Sequence, residues 1–256
     1  MMGSRITRSK RRTGEVISEV NSKRNRLRLT EEMNCQSNGL CLSTTTASMF
    51  CWGNTTNGEL GLGGIEDQHI LVPRELNFKE ANKVQYVACG KFHSVLITES
   101  GNIFSCGSND FGQLGHSKPR TRFEEVDRLS NYVITKVACG DYHSVAANEW
   151  GEVYTWGNNS HGQLGYLDTE FLNEPKIVKH IATCFVIQIS CGSNHCLALT
   201  NSGDLYSWGA NEWGQLGIGH KTNLHIPTKI PFFAGIPLAF IASGDNHSFA
   251  LSKSGD

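Results

Sequence analysis

Two short signatures recur along this chain with one shared period, and that restricts the fold more than any other feature. The first is Trp156-Gly157-Asn158-Asn159-Ser160-His161-Gly162-Gln163-Leu164-Gly165, which reads W-G-x-N-x-x-G-Q-L-G. Close copies run from Trp52-Gly53-Asn54 to Gly58-Glu59-Leu60-Gly61, from Cys106-Gly107-Ser108-Asn109 to Gly112-Gln113-Leu114-Gly115, and from Trp208-Gly209-Ala210-Asn211 to Gly214-Gln215-Leu216-Gly217. The leading glycines stand at 53, 107, 157 and 209, in steps of 54, 50 and 52 residues. The second signature, Cys-Gly-x-x-His, runs from Cys89 to His93, Cys139 to His143 and Cys191 to His195, with Ser243-Gly244-Asp245-Asn246-His247 as a variant. Its histidines step by 50, 52 and 52 residues. Two signatures on one beat define a repeat protein.

Each unit reads as β-structure. Val84 to Cys89 is β-branched and aromatic and predicts a strand, which Gly90 ends. His93 to Thr98 predicts a second strand, Glu99-Ser100-Gly101-Asn102 a turn of hairpin length, and Ile103 to Cys106 the return strand. The pattern recurs as His143 to Asn148 with Val153 to Trp156, and as His195 to Thr200 with Leu205 to Trp208. Linkers add a further apolar stretch introduced by proline at Val72-Pro73, Glu174-Pro175 and Ile226-Pro227, a residue tolerated on an outer edge strand. The linker Phe123 to Leu129 lacks the proline and is expected to differ locally. Four strands per unit of about 50 residues is the arithmetic of a propeller blade.

Residues 1–48 stand outside the repeat. Arg5 to Arg28 holds nine basic residues against Glu15 and Glu19, and the segment then turns to Ser, Thr and Asn. Such composition cannot bury enough apolar surface to offset backbone entropy and predicts a disordered tail. Its clusters Lys10-Arg11-Arg12 and Lys23-Arg24-Asn25-Arg26 have the layout of a bipartite nuclear-import signal and could touch nucleic-acid phosphates weakly and without sequence choice. No apolar run reaches the roughly 18–20 residues that span a bilayer, and the charged N-terminus lacks the apolar core of a secretory signal. The expected address is cytoplasmic, or nuclear if the tail acts as an import signal, with no membrane partner.

The nine cysteines do not form the paired C-x₂-C spacing of a zinc site. Cys89, Cys139 and Cys191 share one repeat position, which predicts a small buried thiol per unit. Four equivalent histidines (His93, His143, His195, His247) predict a shared structural hydrogen bond, because one active site does not need four equal bases. Trp52, Trp156 and Trp208 read as blade-packing side chains. No phosphate-binding glycine loop is present. The sequence thus assigns no catalytic, cofactor-binding or metal residue, and no cofactor. Trp213, Phe111 and Trp150 are candidates for exposed loop aromatics that could anchor a partner.

W-G-x-N-x-x-G-Q-L-G followed by C-G-x-x-H-S resembles the repeat of the RCC1 (regulator of chromosome condensation) family, from Met49 to the C-terminus. The resemblance implies a seven-bladed β-propeller. Seven blades at this period need roughly 350 residues, so residues 49–256 are expected to form an incomplete all-β propeller of about four to five blades, broken off within the last. Within the family, Met49-Phe50-Cys51-Trp52-Gly53-Asn54 with Gly61-Leu62-Gly63-Gly64, and Ala234-Gly235-Ile236-Pro237 ahead of Ala242 to Phe249, resemble the small HERC ubiquitin ligases. Met49 is then a candidate native start, with residues 1–48 either a genuine extension or an upstream reading artefact.

The HERC resemblance implies a protein-interaction module that recruits substrates or regulators for an E3 ligase. The ligase chemistry would belong to a C-terminal HECT domain, which these 256 residues do not contain. The alternative is guanine-nucleotide exchange on a Ran-type small GTPase with chromatin association, as the founding family member performs. That activity is expected to need a wedge inserted within a blade, for which the near-constant spacing leaves no room.

Overall fold

The computed structural model describes residues 48–64, 68–80, 83–167 and 169–253. Apart from Ser48, the basic segment 1–48 lies outside the described residues, as does the terminal Gly255-Asp256. The predicted hairpins are all present, and each becomes part of an antiparallel meander. Strands β3 (Val84–Cys89), β4 (His93–Thr98), β5 (Ile103–Gly107) and β6 (Glu124–Glu125) form the first full blade. The second joins β7 (Ile134–Cys139), β8 (His143–Asn148), β9 (Val153–Asn158) and β10 (Phe171–Ile177). The third joins β11 (Val186–Cys191), β12 (His195–Thr200), β13 (Leu205–Gly209) and β14 (Leu224–Lys229). Two-stranded sheets flank them: β1 (Phe50–Asn54) with β2 (His69–Glu75), and β15 (Leu238–Ser243) with β16 (Ser248–Ser252). The described residues therefore form an arc of propeller blades and not a closed ring.

The core is a series of interfaces between successive blades. Strands β4, β8 and β12 are buried at every residue. Period-two alternation sends their side chains into two different interfaces. From β4, Val95 and Ile97 meet Ile134, Val137, Ala146 and Trp156 of the second blade, while Leu96 packs on the other side with Leu76, Cys106 and Phe123. From β8, Val145 and Ala147 turn forward to Val186, Cys196, Ala198 and Trp208. From β12, Leu197 and Leu199 close on Leu238 and Ile241. Burial on both faces calls for apolar side chains, and Val95 to Ile97, Val145 to Ala147 and Leu197 to Leu199 supply them between a leading His and a closing Thr or Asn.

The prolines differ from expectation. Pro73, Pro175 and Pro227 lie inside β2, β10 and β14, not at their starts. Each falls where the register with the neighbouring strand slips: between Ile70 and Arg74, between Leu172 and Lys176, and between Leu224 and Thr228. A bulge removes the ladder bond that proline cannot donate. The linker without proline does differ, because β6 is only two residues long. No pattern in the sequence announced the three-residue 3₁₀ turns at Asp127–Leu129, Lys179–Ile181 and Pro231–Phe233, whose leucine and isoleucine are buried in the first two. Among the described residues no helix is long and apolar enough to cross a membrane.

Two kinds of glycine tighten the blades. Gly157 has φ of 104°, and a Cβ there would stand 2.4 Å from the Tyr142 carbonyl oxygen. Gly140 has ordinary φ but no space: a Cβ would stand 2.0 Å from His143 Cε1 and 2.7 Å from the Gly192 carbonyl oxygen. Gly140→Ala is therefore expected to cost about 1–3 kcal/mol by overpacking, read as a fall of several degrees in melting temperature. An unchanged melt would mean that this blade contact is loose.

Candidate interaction face

The repeat signatures work together across blade boundaries. In the first full blade, His93 Nε2 lies 2.9 Å from Ser144 Oγ of the second. Ser144 Oγ donates at 2.8 Å to the backbone carbonyl of Gln113, and Trp156 Nε1 donates to the same carbonyl at 2.8 Å. One blade onward, His143 Nε2 lies 3.2 Å from Cys196 Sγ, while Cys196 Sγ and Trp208 Nε1 both donate to the Gln163 carbonyl, at 3.3 and 2.8 Å. In the next, His195 Nε2 lies 2.9 Å from Ser248 Oγ, which donates to the Gln215 carbonyl at 2.8 Å. Ahead of them, Ser94 Oγ and Cys106 Sγ both donate to the Glu59 carbonyl, at 2.7 and 3.5 Å. Cys106 thus fills the place of tryptophan in packing and in hydrogen bonding.

This wiring fixes the protonation of the histidines. Ser144 Oγ already gives its proton to Gln113, so His93 Nε2 must donate to it and Nδ1 is a bare acceptor. The Nδ1 atoms of His93, His143 and His195 are buried without a partner. Burial lowers the His93 pKa from 6.5 to about 3, with His143 adding to the effect. Burial likewise lowers His195 to about 4, followed by the influence of His143 and His247. Both rings are held neutral.

Three of the expected side-chain environments differ. Trp52 is 60% exposed, because tryptophan in this position packs on the preceding blade and the described residues provide none before β1. His247 is exposed at the other edge for the mirror-image reason. Cys89 is exposed, and Cys139 and Cys191 are only half-buried. They end the inner strands β3, β7 and β11, where those strands line a central cleft of about 400 Å³ with Lys91, Asp141, Ser193, Ser243 and Asp245.

The second signature builds rigid loops on one rim. Asn109 Oδ1 accepts from Leu114 N at 3.0 Å, and its Nδ2 donates to the His116 carbonyl at 2.9 Å. Asn159 and Asn211 repeat this, accepting from Leu164 N and Leu216 N at 2.8 and 3.0 Å. The side-chain oxygens of Gln113, Gln163 and Gln215 accept from the backbone of Phe111, His161 and Trp213, at 2.9, 2.9 and 3.0 Å. Every fixed letter of W-G-x-N-x-x-G-Q-L-G therefore has an internal task. The residue before the second glycine varies (Asn57, Phe111, His161 and Trp213), and the loop presents it.

On the same rim, where His93 pairs with Gly107 and His143 with Gly157, the turns after β3 and β7 add aromatic side chains. Phe111 stacks edge-on against Tyr142 at 5.2 Å between centroids, and Phe92 lies 6.0 Å from Tyr142. Lys91 Nζ sits 5.6 and 5.8 Å from the Phe92 and Tyr142 rings and 3.6 Å from Asp141. Trp213, 71% exposed, stands on the same rim two loops further on. Trp150, also exposed, belongs to the turn after β8 on the opposite rim. The three candidate anchors are all exposed, but they do not share a face. Sequence reading missed Phe92 and Tyr142, whose signal was an aromatic in the second variable place of C-G-x-x-H.

Four-stranded meanders stacked through this network define an RCC1-like propeller, and the chain belongs to that family: residues 8–256 match the RCC1-like domain. It is 46% identical over 209 residues to the protein named probable E3 ubiquitin-protein ligase HERC4 of Rattus norvegicus, a match that covers 81% of this chain and 20% of the relative. The chain thus spans about a fifth of the length of that relative. Among solved structures it is similar to human WBSCR16, with a TM-score of 0.69 and 26% identity over 80% of this chain and 55% of the other. It also shares the fold of Prp20p from Saccharomyces cerevisiae, with a TM-score of 0.55 and 23% identity over 84% of this chain and 66% of the other. Prp20p itself is described as having binding properties to Gsp1p and histones.

Proposed function

We propose that this chain is the protein-binding part of a HERC-type E3 ubiquitin ligase and that its loop rim recruits substrates or regulators in the cytoplasm. The observation that carries this reading is the Phe92–Tyr142–Phe111 cluster, which sets aromatic surface beside Lys91 and Asp141 on internally bonded loops. Rigid aromatic surface with a charged rim suits a protein partner, because little side-chain freedom is lost on binding. The likeness to HERC4 supports the ligase setting. Thioester formation would fall to a nucleophilic cysteine on a catalytic region elsewhere in the ligase.

Phe111→Ala combined with Trp213→Ala is expected to leave the melting temperature nearly unchanged and to cut capture of partner proteins by the tagged chain roughly tenfold or more. Proteins lost from the variant's capture should accumulate when the full-length ligase is depleted. Equal capture by both forms would sink the rim assignment. Faster release of fluorescent nucleotide from a Ran-type GTPase on mixing would favour the exchange reading instead.

A further inference from the structure

One blade boundary differs chemically from its sisters. The residue after the repeat histidine is Ser94, Ser144 and Ser248 in three copies but Cys196 in the fourth. Cys196 lies directly opposite Cys191 in the β11–β12 ladder, and their sulfurs are 3.8 Å apart. His143 of the preceding blade brings Nε2 to 3.2 Å from Cys196 Sγ. One nitrogen and two sulfurs thus lie within 4.8 Å of one another. A four-coordinate zinc-class ion, with bonds of about 2.3 Å to sulfur and 2.0–2.1 Å to nitrogen, would set its sulfurs about 3.8 Å apart and its nitrogen about 3.5 Å from each. The sulfur pair already stands at that separation, and His143 Nε2 is within some tenths of an ångström of the required distance from Cys196, while the third pair, His143 with Cys191, lies within 4.8 Å.

We propose that His143, Cys191 and Cys196 form a binding site for a thiophilic divalent cation of the zinc class, which clips the second full blade to the third. The donor set suits the ion, since thiolate and imidazole select zinc and its congeners over calcium or magnesium. Access comes from the central cleft, whose lining includes Cys191 and into which a fourth, solvent ligand can enter. Binding displaces the two thiol protons to solvent, and the neutral imidazole moves its proton from Nε2 to Nδ1. Nδ1 has no partner at present, and the Gly192 carbonyl oxygen stands beside the ring. The Gln163 carbonyl loses the Cys196 donor but keeps Trp208 Nε1 at 2.8 Å. No metal signature was visible in the sequence because the ligands come from two blades, and the spacing within one repeat pairs the wrong cysteine and histidine.

The chain itself supplies the controls. Cys196→Ser copies Ser94, Ser144 and Ser248, and Cys191→Ser copies Ser243, so both variants restore chemistry that the repeat already folds with. The full chain, reduced and stripped of metal, would be titrated with Co²⁺ and followed by its sulfur-to-cobalt charge-transfer absorption. The expected result is saturation at one equivalent, displacement by Zn²⁺, and a zinc-dependent rise in melting temperature. Each serine variant should weaken binding by roughly a hundredfold or more, beyond the effect of losing an outer-shell partner. Cys89→Ser should bind as the parent does. A parent chain without a saturable thiolate band, or a band that survives in both serine variants, overturns the proposal. So does formation of a Cys191–Cys196 disulfide in place of metal uptake under the reducing conditions.

Discussion

Trp156→Ala is expected to lower the unfolding free energy by about 3–5 kcal/mol, among the largest losses from one side chain in this chain. Trp156 is fully buried in the interface between the first and second full blades, where it packs with Val95, Ile97 and Val126. Its removal leaves a cavity that the two rigid sheets cannot close, and it deprives the Gln113 carbonyl of one of two donors. Trp156→Phe separates these effects. It keeps most of the packing and drops the hydrogen bond, at a cost of about 1 kcal/mol, since Ser144 still serves the carbonyl. Trp52→Ala is the internal contrast: the same motif letter, but 60% exposed, and so expected to change stability by only about 0.5 kcal/mol. Equilibrium denaturation of the three variants would decide the matter. Equal losses at Trp52 and Trp156 would show that the interfaces do not carry the stability. Because such stacks need not unfold in one step, two spectroscopic probes should be compared.

Acid is expected to unfold the protein through its buried histidines. His93 and His195 have folded pKa values of about 3 and about 4, against 6.5 when free. Between about pH 4 and pH 6.5 the unfolded chain therefore binds up to two protons that the folded chain refuses. Stability is fully present above 6.5 and falls with the pH by up to about 2.7 kcal/mol per unit, or about 1.4 for each ring. The fall ends as the folded-state rings themselves take up protons near pH 3–4. Unfolding free energies measured at pH 7.5 and 5.0 should differ by several kcal/mol, and His93→Gln should remove roughly half of that difference whatever it does to stability at neutral pH. An unchanged slope in the variant would assign the acid sensitivity to other groups.

Much of the architecture was legible because one pattern is repeated. The period gave the units, the glycines gave the turns, and segments such as His93 to Thr98 and Ile103 to Cys106 gave the hairpin strands. Side-chain environments at the edges were not legible. Trp52 and Trp156 carry the same letter, and only the presence of a blade ahead of one of them distinguishes burial from exposure. The inner-strand cysteines were read as buried because they repeat, yet repetition places them along a common cleft. Pro175 pointed to an outer strand but could not announce the slipped register that accommodates it. The tasks of Gln113, Gln163 and Gln215 were hidden for a different reason, since each has two: the side chain braces a loop while the main chain receives the neighbouring blade.

That division bears on how such a chain can change over generations. The acceptor joining two blades is a peptide carbonyl, which no amino-acid replacement deletes. All heritable variation at the junction must fall on the donors, and the chain already displays it: Cys106 stands for tryptophan, and Cys196 for serine. Each such exchange keeps a proton pointed at an unchanging oxygen. A junction with one immutable half lets the other half drift without severing the assembly, and in that drift a copied blade can acquire chemistry of its own.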